Sequence, residues 1–85
     1  MSGTQIGQIS HYYDHISVAA IVLTGPLRVG DTIHILGDST DFKQEVSSMQ
    51  IEHQPVEEAK PGDDVGIKVV RKVHPHDKVY KLTDE

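Results

Sequence analysis

The feature that most constrains this chain is a two-residue alternation of apolar and polar side chains in several short runs. In DVGIKVV, residues 64–70, one parity is carried by Val65, Ile67 and Val69. In DTIHILG, Ile33 and Ile35 alternate with polar side chains in the same way. Successive side chains of a β-strand point to opposite faces of a sheet, whereas a helical face repeats every 3.6 residues. The pattern therefore predicts an all-β fold.

One run, HISVAAIVLT, is apolar on both parities. Its two rows are Ile16, Val18, Ala20 and Val22 on one side, and Ala19, Ile21 and Leu23 on the other. A strand that is apolar on both faces is typical of the centre of a sheet, or of a sheet covered on both faces. We expect one of these two positions for this strand.

A change of phase interrupts the next long segment, DFKQEVSSMQIEHQ. Phe42 and Val46 share one parity, but Met49 and Ile51 share the other. A single flat strand cannot direct both pairs into one core, so we expect a β-bulge or a sharp bend near Ser47. Phe42 itself is expected to pack in the core or at its rim.

Turn signals separate these runs. Pro61-Gly62 fits the central positions of a type II turn, and Asp31 and Asp63 each follow a glycine, where a carboxylate accepts backbone N–H groups. The segment EEAK before Pro61 is expected to form one helical turn at most. With KVYKL, residues 78–82, as the closing run, about six short strands predict a small closed antiparallel barrel. The residues assigned to structural turns and the strand after them are Gly30, Asp31, Pro61, Gly62, Asp63 and Gly66.

Length and composition limit the architecture and the chemistry. The chain has 85 residues, of which 36% are hydrophobic, and this predicts one domain with a core spanning about residues 6–82. There is no cysteine, which excludes disulfides, thiolate metal ligands and cysteine nucleophiles, and suits a cytoplasmic location. The N-terminal residues do not resemble a signal peptide, and the apolar run 18–23 is too short to span a bilayer, so no membrane partner is expected.

The net charge of −5 argues against broad, salt-dependent binding of nucleic acid. Arg28 is the only basic residue in the first half of the chain. A contiguous basic face would nevertheless favour an RNA partner, and the candidate residues for one are Lys68, Arg71, Lys72, Lys78 and Lys81.

The segment HYYDH, residues 11–15, holds further candidates for contact with a partner. Alternation predicts that one of Tyr12 and Tyr13 enters the core and the other faces outward, where a ring beside His11 and His15 could stack on a base or anchor a protein. His11 and His15, like the pair His74 and His76, supply residue types found in metal sites. Since no third ligand is fixed by the sequence, we assign no metal ligand, no cofactor and no catalytic residue.

Two segments occur in a familiar order: GPLRVGDTIHILG, residues 25–37, and VEEAKPGDDVGIKV, residues 56–69. Together with QEVSSMQIEHQ and HDKVYKL they resemble the second domain of translation GTPases, the β-barrel of elongation factor Tu. Gly30 and Asp31 match the first turn of that family's pattern, and the second turn and its strand are matched by Ala59, Gly62, Asp63, Val65 and Gly66. The chain is also similar to free-standing elongation-factor-like proteins and to the barrel at the C-terminus of collagenase-like peptidases.

The resemblance implies a non-catalytic binding module that docks onto translation or RNA-modification machinery, through RNA or a ribonucleoprotein. An alternative is a protein–protein adaptor that acts in trans with a collagenase-like peptidase, and a remote alternative is a small metal-dependent enzyme. GTP binding is not expected of this chain, because it lacks the glycine-rich phosphate loop with its lysine. The partner-contact candidates are His11, Tyr12, Tyr13, His15, Lys68, Arg71 and Lys72.

Overall fold

The computed structural model describes residues 2–83, and across them the chain forms ten β-strands and no helix. The strands are β1 (Ser2–Tyr13), β2 (Val18–Leu23), β3 (Leu27–Arg28), β4 (Thr32–Leu36), β5 (Asp41–Glu45), β6 (Met49–Ile51), β7 (Gln54–Val56), β8 (Glu58–Ala59), β9 (Asp64–Lys68) and β10 (Lys78–Thr83). Eight of them form one antiparallel sheet in the order β5-β4-β10-β1-β2-β9-β6-β7, and β3 pairs with β8 in a separate ribbon. The all-β prediction is confirmed, although the sequence indicated only about six strands.

The inner face of the sheet is filled by aliphatic side chains on the predicted parity. Val65 and Ile67 of β9 are buried, as are Ile33 and Ile35 of β4. The β3–β8 ribbon adds Leu27 and Ala59 to the same core. Burial of one such side chain contributes about 1.5–3 kcal/mol, so this face is the main source of stability.

β2 lies inside the sheet, between β1 and β9. Its inner row, Ala19, Ile21 and Leu23, is buried. The central position predicted from its two apolar rows is therefore present. Its outer row is not fully covered: Val22 is 43% exposed and Val18 and Ala20 are only half-buried.

Three four-residue turns share one hydrogen-bonding pattern. In residues 28–31, 60–63 and 74–77, the closing aspartate donates its N–H to the carbonyl of the first residue, and its Oδ2 accepts the first residue's N–H at 2.9 Å. The third position has φ of 99° in Gly30, 93° in Gly62 and 76° in His76. Glycine adopts this left-handed conformation without steric cost. The Pro61-Gly62 turn thus has the φ and the hydrogen bond that a type II turn requires.

Two local expectations concern the segment before Pro61 and the phase change near Ser47. The segment before Pro61 stays within the expected limit of one helical turn at most: it makes none, because Glu58–Ala59 is extended as β8 and pairs with β3. Near Ser47 the bulge alternative is wrong, because the chain leaves the sheet at residues 46–48, and β5 and β6 are separate strands that are not neighbours in it. The bulges lie instead in β1, between Gln5 and Gly7 and between Ile9 and His11.

Backbone pairing within residues 2–83 does not close the sheet into a ring, since β5 and β7 are its two end strands. The predicted closed barrel is therefore not confirmed as a continuous hydrogen-bonded ladder. A side chain links β5 to the end of β9 and the segment after it: the Gln44 amide donates from Nε2 to the Lys68 carbonyl, and its Oε1 accepts the Val70 N–H, both at 2.9 Å. We call this link the Gln44 seam.

Candidate functional site

Neighbouring strands place a row of outward-facing side chains across the middle of the sheet. His11 of β1 lies opposite Ala20 of β2, which lies opposite Gly66 of β9, which in turn lies opposite Gln50 of β6. Residues directly opposite each other in an antiparallel pair point to the same face. Since Ala20 and Gly66 are small, the sheet surface is depressed at this point.

This depression belongs to a groove of about 460 Å³, which we call the outer groove. It is lined by Tyr13, Ile16, Val18, Ala20, Gln50, Glu52, His53, Asp64, Val65 and Gly66. Ile16 is 61% exposed and Tyr13 is 48% exposed at its rim. Clustered exposed apolar side chains, unlike isolated ones, are characteristic of interaction surfaces.

The backbone is strained around the same groove. Within residues 2–83, four residues other than glycine have positive φ, and three of them, Ser17, Glu52 and His53, lie in or next to the groove's lining segments. Glu52 (52°) and His53 (66°) form the two-residue loop between β6 and β7. Positive φ at both positions is the type I′ pattern, which normally uses Asn-Gly because other residues are strained there. Strain of this kind is concentrated at functional sites.

The groove has opposite charges at its two ends. Glu52 and Asp64 line one end, which we call the acidic end, and neither carboxylate makes an ion pair with another of the described residues. Lys68 lies beyond the other end, opposite Val18, and we call that the basic end. The apolar floor of Val18 and Ala20 lies between them.

The HYYDH segment is divided between the core and the groove. Tyr12 lies opposite Ala19 and packs against the core, whereas Tyr13 lies opposite Val18 on the outer face. The structure thus has the inward and outward tyrosines that alternation predicted. His11 stacks edge-on against Tyr13 with ring centroids 4.4 Å apart. His15, in the β1–β2 turn, has a 99% exposed side chain and lies 3.8 Å from the Asp14 carboxylate.

The basic candidates are not brought together on adjacent strands. Lys68, Arg71 and Lys72 are exposed at the end of β9 and in the segment after it. Lys78 and Lys81 lie on β10, which is separated from β9 by β1 and β2. The Lys81 ammonium is 3.4 Å from the Asp31 carboxylate. The contiguous basic face that would favour RNA is therefore interrupted.

The remaining histidine pair belongs to the third aspartate turn. His74 Nδ1 is 3.2 Å from the Thr40 hydroxyl, and His76 Nδ1 is 3.2 Å from Gln8 Nε2, so the two rings contact different strands or turns. No group of three or more histidine and carboxylate side chains in residues 2–83 is arranged to hold a metal ion.

Sequence reasoning missed the acidic end of the groove. Glu52 and Asp64 are 12 residues apart and are brought together only because β6 pairs with β9. The Glu-His loop also lacks the Asn-Gly signature of a two-residue hairpin. The sequence feature that could have indicated the groove is the second apolar row of β2, because a strand that is apolar on both faces is typical of a sheet covered on both faces.

Comparison with known proteins assigns the fold to a family. The model of elongation factor Tu domain 2 matches residues 18–80, most of the chain. The chain belongs to the elongation factor Tu domain 2 family. Elongation factor 1-alpha of Thermococcus onnurineus is 44% identical over 52 residues, which cover 56% of this chain and 12% of that protein.

Two proteins that are named as proteases match a larger part of this chain than elongation factor 1-alpha does. An uncharacterized protease of Methanocaldococcus jannaschii is 44% identical over 81 residues, which cover 94% of the chain and 20% of that protein. A collagenase of Porphyromonas gingivalis is 36% identical over 81 residues, which cover 93% of the chain and 22% of that protein. The chain thus spans about a fifth of the length of these relatives.

A solved structure has the same fold. The C-terminal domain of a Geobacillus thermoleovorans protein described as a U32 peptidase superposes with a TM-score of 0.87 at 22% identity, covering 93% of this chain and 92% of that one. At this identity the likeness establishes the fold alone. Separately, residues 2–83 contain no helix long and apolar enough to cross a membrane.

Proposed function

We propose that this chain is a non-catalytic docking module that holds another protein against the outer groove of its sheet. The observation that carries the proposal is the apolar outer row of the central strand β2, which is only partly covered. Burial of that row would be favourable by about 25 cal/mol for each Å² of apolar surface removed from water. The two carboxylates lie at one end of the groove and Lys68 lies beyond the other, so these charged groups do not converge on one point, which fits docking better than catalysis.

The partner we propose is a protein related to the larger part of a collagenase-like peptidase. The similarity to protease relatives extends over nearly the whole chain, and this unit accounts for only about a fifth of each of them. Such a unit could bind the kind of surface that its counterpart meets within the longer chains of these relatives. The unpaired carboxylates of the acidic end also favour a protein over an RNA phosphate backbone.

A second candidate is docking onto RNA or a ribonucleoprotein of the translation machinery. The observations that favour it are membership of the elongation factor Tu domain 2 family and the exposed cluster Lys68, Arg71 and Lys72. Such a complex would weaken steeply with salt, whereas burial of the β2 outer row is largely insensitive to salt. This contrast separates the two candidates.

An Ala20→Arg variant tests the proposal, because a long side chain at the floor fills the groove without entering the core. The probe is a collagenase-like peptidase of the same cell, truncated to remove its own barrel, with binding measured by calorimetry after ribonuclease treatment. We expect binding by the native chain and at least a tenfold loss in the variant, since roughly 1.4 kcal/mol corresponds to a factor of ten.

The matched control is Val29→Arg, which adds the same side chain at another exposed apolar position, outside the groove. It should bind like the native chain. Equal binding by all three proteins would contradict the proposed surface. Absence of binding to the peptidase, together with ribonuclease-sensitive recovery of ribosomal material, would favour the second candidate.

A further inference from the structure

The polarity of the outer groove restricts what can occupy it, given the docking function proposed above. The outward-facing residues of β9 are Asp64, Gly66 and Lys68, in that order along one face. Asp64 and Lys68 are four steps apart along an extended strand, which places their Cα atoms about 13 Å apart. A ligand that satisfies both charged groups must therefore carry a cation and an anion at about that separation.

The acidic end is suited to a cationic side chain with an aliphatic stem. Glu52 extends from the β6–β7 loop and Asp64 begins β9, so two carboxylates approach the same end from different elements. His53 of the same loop is a titratable neighbour there, whereas His11 lies opposite Ala20, in the row across the middle of the sheet. Two carboxylates without an ion-pair partner among the described residues favour a guanidinium or ammonium group, which can donate to both.

The floor is suited to apolar side chains that repeat every second residue. Val18 and Ala20 of β2 have the two-residue spacing of a strand, and Ile16 and Tyr13 form a wall at the end nearest Lys68. An extended segment lying along β2 would place alternate side chains on this floor. Nucleic acid does not match this surface, because its phosphates would lie against the unpaired carboxylates.

We infer that the outer groove binds an extended protein segment with an arginine or lysine at one end of a short run of alternating apolar residues and, about four residues away, an aspartate or glutamate at the other end. The basic side chain pairs with Glu52 and Asp64, the apolar side chains cover Val18 and Ala20, and the acidic side chain lies near Lys68. The inference names the chemistry of the partner segment and rests on the proposed docking function.

A displayed library of random dodecapeptides tests this directly, with selection on the full 85-residue chain and parallel selection on Ala20→Arg to remove binders of other surfaces. The expected result is enrichment of peptides with a basic residue at one end of an alternating apolar stretch and an acidic residue at the other. Failure to enrich any peptide over the Ala20→Arg selection, or enrichment of peptides with no basic residue, overturns the inference.

Substitutions that remove charge and keep side-chain shape give a second readout that does not depend on blocking the groove. Glu52→Gln with Asp64→Asn keeps the side-chain size and removes both carboxylates, and should weaken binding of a selected peptide by about tenfold or more. Asp64→Lys should restore affinity for a peptide whose basic residue is replaced by glutamate. If peptides bind through the groove but their affinity is unchanged by these variants, the docking function stands and the polarity inference fails.

Discussion

His76 has a left-handed backbone conformation that glycine adopts at the same position of the two other aspartate turns. Its φ is 76°, against 99° for Gly30 and 93° for Gly62, in turns with the same aspartate hydrogen bonds. The left-handed conformation costs a residue other than glycine about 1–2 kcal/mol, and glycine costs about 0.5–1 kcal/mol in unfolded-chain entropy. His76→Gly should therefore raise the free energy of unfolding by about 0.5 kcal/mol, measurable by urea denaturation.

The reverse exchange at Gly62 is the matched control. A Cβ atom there would meet no other atom within 4 Å, so Gly62→His introduces backbone strain without a clash and should lower the free energy of unfolding by about the same amount. No change in either variant would show that φ is not the source of the cost. The Gly-Asp pairs of the sequence predicted the first two turns. The third has histidine in place of glycine, so the sequence does not show that residues 74–77 share their geometry.

The β6–β7 hairpin is the element in which strain and the candidate site coincide. Replacement of Glu52-His53 by Asn-Gly should raise the free energy of unfolding by about 1 kcal/mol, because these residues suit a type I′ loop. The same variant should bind the partner less tightly, since it removes Glu52. Chemical denaturation and binding measured on one preparation test both effects.

The β4–β5 turn supplies the control for this element. Asp38 and Ser39 are exposed, and neither is among the positive-φ residues of the described chain. Asn-Gly at these two positions should give no gain in stability, and a gain equal to that of the β6–β7 variant would refute the strain argument.

Sequence patterns located β4 and β9 because their alternation is regular, but β7 and β8 have only three and two residues, too few to show a period.

At the scale of the whole molecule, alternation predicted which residues are inside and could not predict how the sheet is ordered. Ile33, Ile67 and Val79 are buried as their parity requires. The order that places β10 between β4 and β1 depends on pairings between segments more than 40 residues apart. The outer groove is a product of that order, because β1, β2, β9 and β6 each contribute to it, and no single segment of sequence contains it.

The Gln44 seam links the end strand β5 to the end of β9 and the segment after it. In residues 2–83 no backbone ladder joins β5 to β9. Gln44→Ala removes both side-chain hydrogen bonds to Lys68 and Val70. Because both bonds lie at an exposed position, water can replace them, and the global free energy of unfolding should fall by only about 1 kcal/mol. The larger effect should be local: backbone amides of β5 and of residues 68–70 should exchange with solvent faster, while those of β2 and of residues 64–67 in β9 keep their protection.

Gln44→Glu keeps the acceptor for Val70 but loses the donor to Lys68, and should give an intermediate acceleration of exchange. Lys43→Ala, at the neighbouring outward position, should leave exchange unchanged. Uniform acceleration across all strands in Gln44→Ala would mean that the sheet opens as one unit and that the seam has no separate role.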